Sequence, residues 1–150
     1  MNIKKSKLYF CISSAFIVIA SIMIALIQFV GIDGTKEQKT FSLIIAITFW
    51  VSLVCSQVFF WLVSFNRRKT QTEKNKAKIG LISFFQNKEA KIADLSMIFF
   101  AIVVIFLIIF NVDSGFLVTA SVALLFLSFF MHCYLNSRNY KFIKNIENKE

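Results

Sequence analysis

Residues 41–65 read FSLIIAITFWVSLVCSQVFFWLVSF, a run without any Asp, Glu, Lys or Arg. At about 1.5 Å per residue, a helix of this length exceeds the roughly 30 Å hydrocarbon core of a membrane. Apolar runs also occupy residues 8–30, 95–110 and 116–135. The run at 95–110 is short for a span, so its flanking residues extend it to about 93–112. The sequence therefore predicts four membrane-spanning helices.

The composition supports this class of protein. Apolar residues make up 57% of the 150 residues and charged residues 17%, against roughly 45–50% and about 25% in soluble domains. The short connection between residues 112 and 116 predicts a packed helical hairpin. We expect an all-α, polytopic membrane protein: one domain over residues 1–150, folded as an antiparallel four-helix bundle. The apolar run at 8–30 is too long for a cleavable signal peptide and is interpreted as a retained anchor.

The cations predict an orientation. Fifteen of the 17 Lys and Arg residues lie before residue 8, in the loop at 66–92 or in the tail at 136–150. The positive-inside rule therefore places these three segments, including both termini, on the cytoplasmic side of the cell membrane. The net charge of +9 then reflects topology and attraction to anionic inner-leaflet lipids, rather than nucleic-acid binding.

Polar side chains recur at helical spacing inside the spans, and we interpret them as a polar interior. They either hydrogen-bond the helices together or line a small polar cavity near the cytoplasmic side. His132, near the cytoplasmic boundary, either titrates in such a cavity or hydrogen-bonds to a backbone carbonyl. The interior set is Ser14, Ser21, Gln28, Ser52, Gln57, Ser128, His132 and Asn136.

The predicted cytoplasmic loop contains an apolar segment, residues 79–85, between basic flanks. It is too short to span, so it is interpreted as an amphipathic segment lying in the plane of the membrane surface. The competing interpretation is a lid folded beneath the bundle. The residues expected to bind the membrane surface are Arg67, Arg68, Lys69, Phe84, Phe85, Lys88 and Lys91.

The sequence lacks the residues that several kinds of function normally require. The four uninterrupted apolar runs contain no ionisable Asp, Glu, Lys or Arg, which argues against proton-coupled transport. Cys11, Cys55 and Cys133 form no Cys-x-x-Cys pair, and His132 is the only histidine. No metal-ligand spacing, phosphate loop or catalytic triad pattern is present. We therefore expect no enzyme activity, no cofactor and no metal.

Residues 80–94, GLISFFQNKEAKIAD, and 131–140, MHCYLNSRNY, resemble segments of small uncharacterised four-span membrane proteins of low-GC Gram-positive bacteria. The resemblance covers about a sixth of the chain. It implies the four-span topology and a bacterial source, and it carries no activity.

Two functions stay open at this point. The favoured one is a non-enzymatic membrane protein that binds lipids or other membrane proteins, such as an accessory subunit or a protein conferring immunity to a membrane-active toxin. Its partner would be a membrane protein or a second copy of the chain. The alternative is a small oligomeric channel or exporter for an uncharged or cationic solute.

Overall fold

A computed structural model describes residues 3–30, 35–70, 84–85, 87–112 and 114–147. Within these residues the chain forms five helices: α1 (Ile3–Val30), α2 (Lys36–Thr70), α3 (Lys88–Ile109), α4 (Gly115–Leu135) and α5 (Arg138–Glu147). The first four are long and apolar enough to cross a membrane. The prediction of an all-helical chain with four long apolar spans is confirmed at this level.

The helices extend past the apolar runs because their polar flanks are themselves good helix formers. Helix α2 starts with a capping box, in which the Thr35 N–H donates to Gln38 Oε1 at 2.7 Å and the Gln38 N–H donates to Thr35 Oγ1 at 3.4 Å. Asn87 caps α3 and Ser114 caps α4 in the same way, each side chain accepting a backbone N–H of the first turn.

The helices form two hairpins joined through α4. Helix α1 packs along α2, α3 packs along α4, and α4 also packs against α1. Among the described helices, α3 packs along α4 alone, and its first turn also forms an ion pair between Glu89 and Lys144 of α5. The hairpin predicted from the short connection between α3 and α4 is therefore present, and α3 lies at the periphery of the bundle.

One end of the bundle collects the start of α1, the end of α2, the start of α3, the end of α4 and all of α5. The Tyr9 and Phe59 rings meet there, Asn87 donates to the Leu135 carbonyl, and Val63 packs against α5. We call this the basic end, because ten cations with described side chains lie in these segments, whereas Lys36 and Lys39 begin α2 at the opposite end. The ten are Lys4, Lys5, Lys7, Arg67, Arg68, Lys88, Lys91, Arg138, Lys141 and Lys144.

Helix α5 falls in the segment that sequence analysis treats as a tail. Its Phe142 and Ile143 side chains are buried against Val63, with Tyr9 and Phe10 packed alongside. The residues on its other face are polar or charged. The helix therefore forms because the ends of α1 and α2 offer an apolar surface, a tertiary effect that local composition does not reveal.

Candidate functional site

A buried acidic residue holds α3 to α4 at the basic end. Asp94 is fully buried, and its carboxylate accepts three hydrogen bonds. His132 Nδ1 lies 2.6 Å from Asp94 Oδ1, Asn136 Nδ2 donates to the same oxygen at 2.8 Å, and the Phe85 N–H donates to Oδ2 at 2.6 Å. We call Asp94, His132 and Asn136 the polar clamp.

The clamp constrains the hydrogen bonding of His132. With Asp94 as a carboxylate, whose oxygens can only accept, the 2.6 Å contact requires the hydrogen on Nδ1. His132 is buried, and the Phe84 ring centroid lies 4.6 Å from that of the imidazole. The partner of this histidine is thus a carboxylate rather than the backbone carbonyl considered from the sequence.

The clamp also holds the segment that precedes α3. Phe85 has a φ of 55°, in the left-handed region that disfavours residues with a Cβ. Its hydrogen bond to Asp94 and the contact between Phe84 and His132 keep the two residues against the bundle. These contacts favour the lid interpretation for Phe84 and Phe85, whereas residues 79–83 lie outside the described residues.

A second polar cluster joins α1, α2 and α4. Ser13 Oγ donates to the Ser56 carbonyl at 2.8 Å, and Ser56 Oγ donates to the Ser13 carbonyl at 2.9 Å. Ser13 Oγ also lies 2.9 Å from the Tyr134 hydroxyl, which contacts Ser56 Oγ as well. Such reciprocal bonds between a side chain and a backbone require closely approaching helices, so small residues must lie at this crossing.

Aromatic rings and the side-chain amide of Asn139 stabilise the helices around this cluster, on the side that faces the basic end. The Tyr134 ring stacks on Phe60, with centroids 4.4 Å apart, and Phe10 lies beside both rings. Asn139 of α5 donates to the Phe60 carbonyl at 3.1 Å and to Ser64 Oγ at 2.8 Å. The polar groups at the centre of the bundle therefore link one helix to the next.

The predicted interior residues differ in how deeply the structure buries them. Ser21, Ser52, Ser128, His132 and Asn136 are buried, and Ser21 donates to the Ile17 carbonyl of its own helix at 2.9 Å. Ser14 is half-buried, and Gln57 is exposed, although its Nε2 reaches the Tyr134 hydroxyl at 3.5 Å. The side chain of Gln28 lies outside the described residues. Of the predicted interior residues whose side chains the structure describes, only His132 and Asn136 are brought together in one cluster.

The predicted surface residues all belong to the basic end or to the segment that precedes α3. Arg68, Phe84, Phe85, Lys88 and Lys91 are exposed, and Arg67 is half-buried. The side chain of Lys69 is not among those the structure describes.

The interior set predicted from the sequence contains none of Asp94, Ser13, Ser56 and Tyr134. The uninterrupted run 95–110 contains no acid, but both the predicted span 93–112 and the candidate span Lys88–Ile109 include Asp94. A usable signal was the spacing of small residues, since Ser6, Ser13 and Ala20 recur every seven residues and are all buried.

Within the described residues, no group of three or more His, Cys, Asp or Glu side chains could hold a metal ion. The chain matches no family model, and comparisons with curated proteins and with solved structures find no similar protein. The interpretation of the molecule therefore depends on its own geometry.

Proposed function

We propose that this is an integral protein of the cytoplasmic membrane that acts by binding lipids or other membrane proteins and not by catalysis. Roles of this kind include an accessory subunit and a protein that protects against a membrane-active toxin. The observation that carries the proposal is the division between the inside and the outside of the bundle. The central polar groups hydrogen-bond between helices, while the outer surface is apolar along its length and basic at one end.

The outer surface is consistent with contacts to lipid and to other membrane helices. Trp50 is 64% exposed at mid-helix, away from the helix ends where Trp normally anchors at a membrane interface. Helix α3 exposes large side chains at most positions from Ile98 to Ile109, because only α4 covers it among the described helices. These exposed faces are the surfaces that a membrane partner would contact.

The proposed orientation predicts accessibility. Single-cysteine variants at residues 71 and 150, made in a background lacking the native cysteines, should react with an impermeant maleimide only from the cytoplasmic side. Cysteines at Gly34 and Ser114 should react only from outside. The reason is the concentration of cations at the basic end. External labelling at residue 71 or 150 would contradict this topology.

A second candidate function has a specific observation in its favour. The Asp94–His132 pair is ionisable and lies within candidate spans, and such pairs mark solute or proton pathways in many membrane proteins. A small oligomeric channel or exporter would use this pair, together with the half-buried Ser14 and the hydroxyl cluster of Ser13, Ser56 and Tyr134.

Purified protein in liposomes separates the two candidates. The binding proposal predicts vesicles that leak neither protons nor small cationic or uncharged solutes faster than protein-free vesicles. The transport candidate predicts flux that His132→Ala or Gln28→Leu abolishes, whereas Lys39→Gln, at the opposite end, leaves it intact. Flux with this pattern would overturn the binding proposal.

A further inference from the structure

An apolar groove runs between α3 and α4 on the outside of the bundle. Its volume is about 600 Å³, within the roughly 300–1,000 Å³ range of ligand sites in proteins. All of its lining residues are apolar, among them Ile98, Ala101 and Ile105 of α3 and Phe126 and Phe129 of α4. The polar clamp closes the α3–α4 seam one turn nearer the basic end, because Asp94 precedes Ile98 and His132 follows Phe129.

Lys91 of α3 lies between this groove and the basic end of the bundle. Lys91 precedes Ile98 by seven residues and Ile105 by fourteen, so helical periodicity places it on the face of α3 that lines the groove. Lys91 is exposed, and Lys88 is exposed one turn earlier. On α4 the same periodicity aligns the exposed Cys133 with Phe126 and Phe129.

The described carboxylates near the basic end of the groove already accept hydrogen bonds. Glu89 accepts from Lys144 Nζ at 2.7 Å, and Asp94 accepts its three hydrogen bonds inside the clamp. A ligand at the basic end of the groove would therefore meet the positive charges of Lys91 and Lys88.

The dimensions fit one lipid of the leaflet at the basic end. At 1.5 Å per residue, the residues of α3 that line the groove lie between about 9 Å and about 21 Å from Lys91, in the direction away from the basic end. Half of a hydrocarbon core is about 15 Å thick. An anionic headgroup beside Lys91 would therefore place its acyl chain at the level of the groove.

We propose that the groove between α3 and α4 binds one anionic phospholipid, with its phosphate beside Lys91 and Lys88 and an acyl chain along Ile98, Ala101 and Ile105. The site rests on the proposed function, because it requires the basic end to face a leaflet that contains anionic lipid.

Native mass spectrometry of the delipidated protein tests the site. The probes are dioleoyl-phosphatidylglycerol and dioleoyl-phosphatidylcholine, which share their acyl chains. We expect one phosphatidylglycerol to bind in preference to phosphatidylcholine, and Lys91→Gln to weaken phosphatidylglycerol binding by about five-fold. Lys39→Gln, a matched loss of a cation at the opposite end, should leave it unchanged.

A second pair of variants tests the acyl-chain part of the site. Ala101→Phe fills the groove and should weaken both lipids by about ten-fold. If this variant lowers the melting temperature, Ile102→Trp replaces it, because Ile102 lines the groove yet is 61% exposed. Val51→Trp, on an exposed face of α2, is the control for added bulk.

Equal binding by wild type, Lys91→Gln and Ile102→Trp would overturn the site. So would a Cys133–Cys133 crosslink between two copies, in a chain lacking Cys11 and Cys55, that added phosphatidylglycerol does not reduce. Either result removes the lipid site and leaves the proposed function standing. The proposed function fails separately, through the liposome flux measurement.

Discussion

Replacing Asp94 with Ala is expected to lower the free energy of unfolding by at least about 3 kcal/mol, because each buried donor left without an acceptor costs about 1–3 kcal/mol. The loss leaves His132 Nδ1, Asn136 Nδ2 and the Phe85 N–H without their shared acceptor. Asp94→Asn keeps the shape and one acceptor oxygen, so its effect should be smaller. Reversible unfolding in mixed micelles measures both values.

The matched control is Glu89→Gln, one and a half turns earlier in α3. Glu89 pairs with Lys144 at the surface of the molecule, and surface pairs contribute little to stability. Asp94→Ala should also speed proteolysis between Thr70 and Lys88, because the Phe84–Phe85 segment loses its hydrogen bond to the carboxylate. If Asp94→Ala unfolds no more readily than Glu89→Gln, the clamp does not stabilise the α3–α4 hairpin.

The second large effect is expected at the crossing of α1 and α2. Ser56→Leu places a bulky side chain where Ser13 and Ser56 bond to each other's backbone, and overpacking of this kind costs about 1–3 kcal/mol. The lost hydrogen bonds add about 0.6–2 kcal/mol each. Ser56→Ala keeps the close approach and should show only the hydrogen-bond part. Thermal unfolding in detergent gives the ranking.

Val54→Leu is the matched control, two residues away on the same helix. Val54 is 60% exposed on the outer face, so the larger side chain meets lipid or detergent and should leave stability unchanged. Equal effects of Ser56→Leu and Val54→Leu would mean that α1 and α2 do not approach closely at Ser56.

The four-span architecture could be predicted because the hydropathy of each segment can be evaluated without knowing its tertiary contacts. Three of the four apolar runs are long enough by themselves to specify a spanning helix, and the run at 95–110 reaches that length with its flanking residues. The cations at the ends of the runs indicate which ends lie together. The hairpin of α3 and α4 followed from the short connection between them, without any knowledge of side-chain contacts.

The candidate site could not be predicted in the same way, because it depends on which face of each helix turns inward. Ser13 and Ser14 are neighbours in the sequence, yet Ser13 is buried in the hydroxyl cluster and Ser14 is only half-buried. Asp94 adjoins an apolar run, and a charge at such a boundary normally marks the start of a loop. Its partner His132 is 38 residues away, and only the packing of α3 on α4 brings the two together.

The position of Tyr134 has a consequence for how the protein is made. Ser13 and Ser56 are 43 residues apart, and Asp94 and His132 are 38 apart, so each hairpin closes with contacts inside a short stretch of chain. The bond between Ser13 and Tyr134 spans 121 residues. The first hairpin can therefore close before the second has been synthesised. The bond between Ser13 and Tyr134, which joins the two hairpins, forms only after the last turn of α4 has been synthesised.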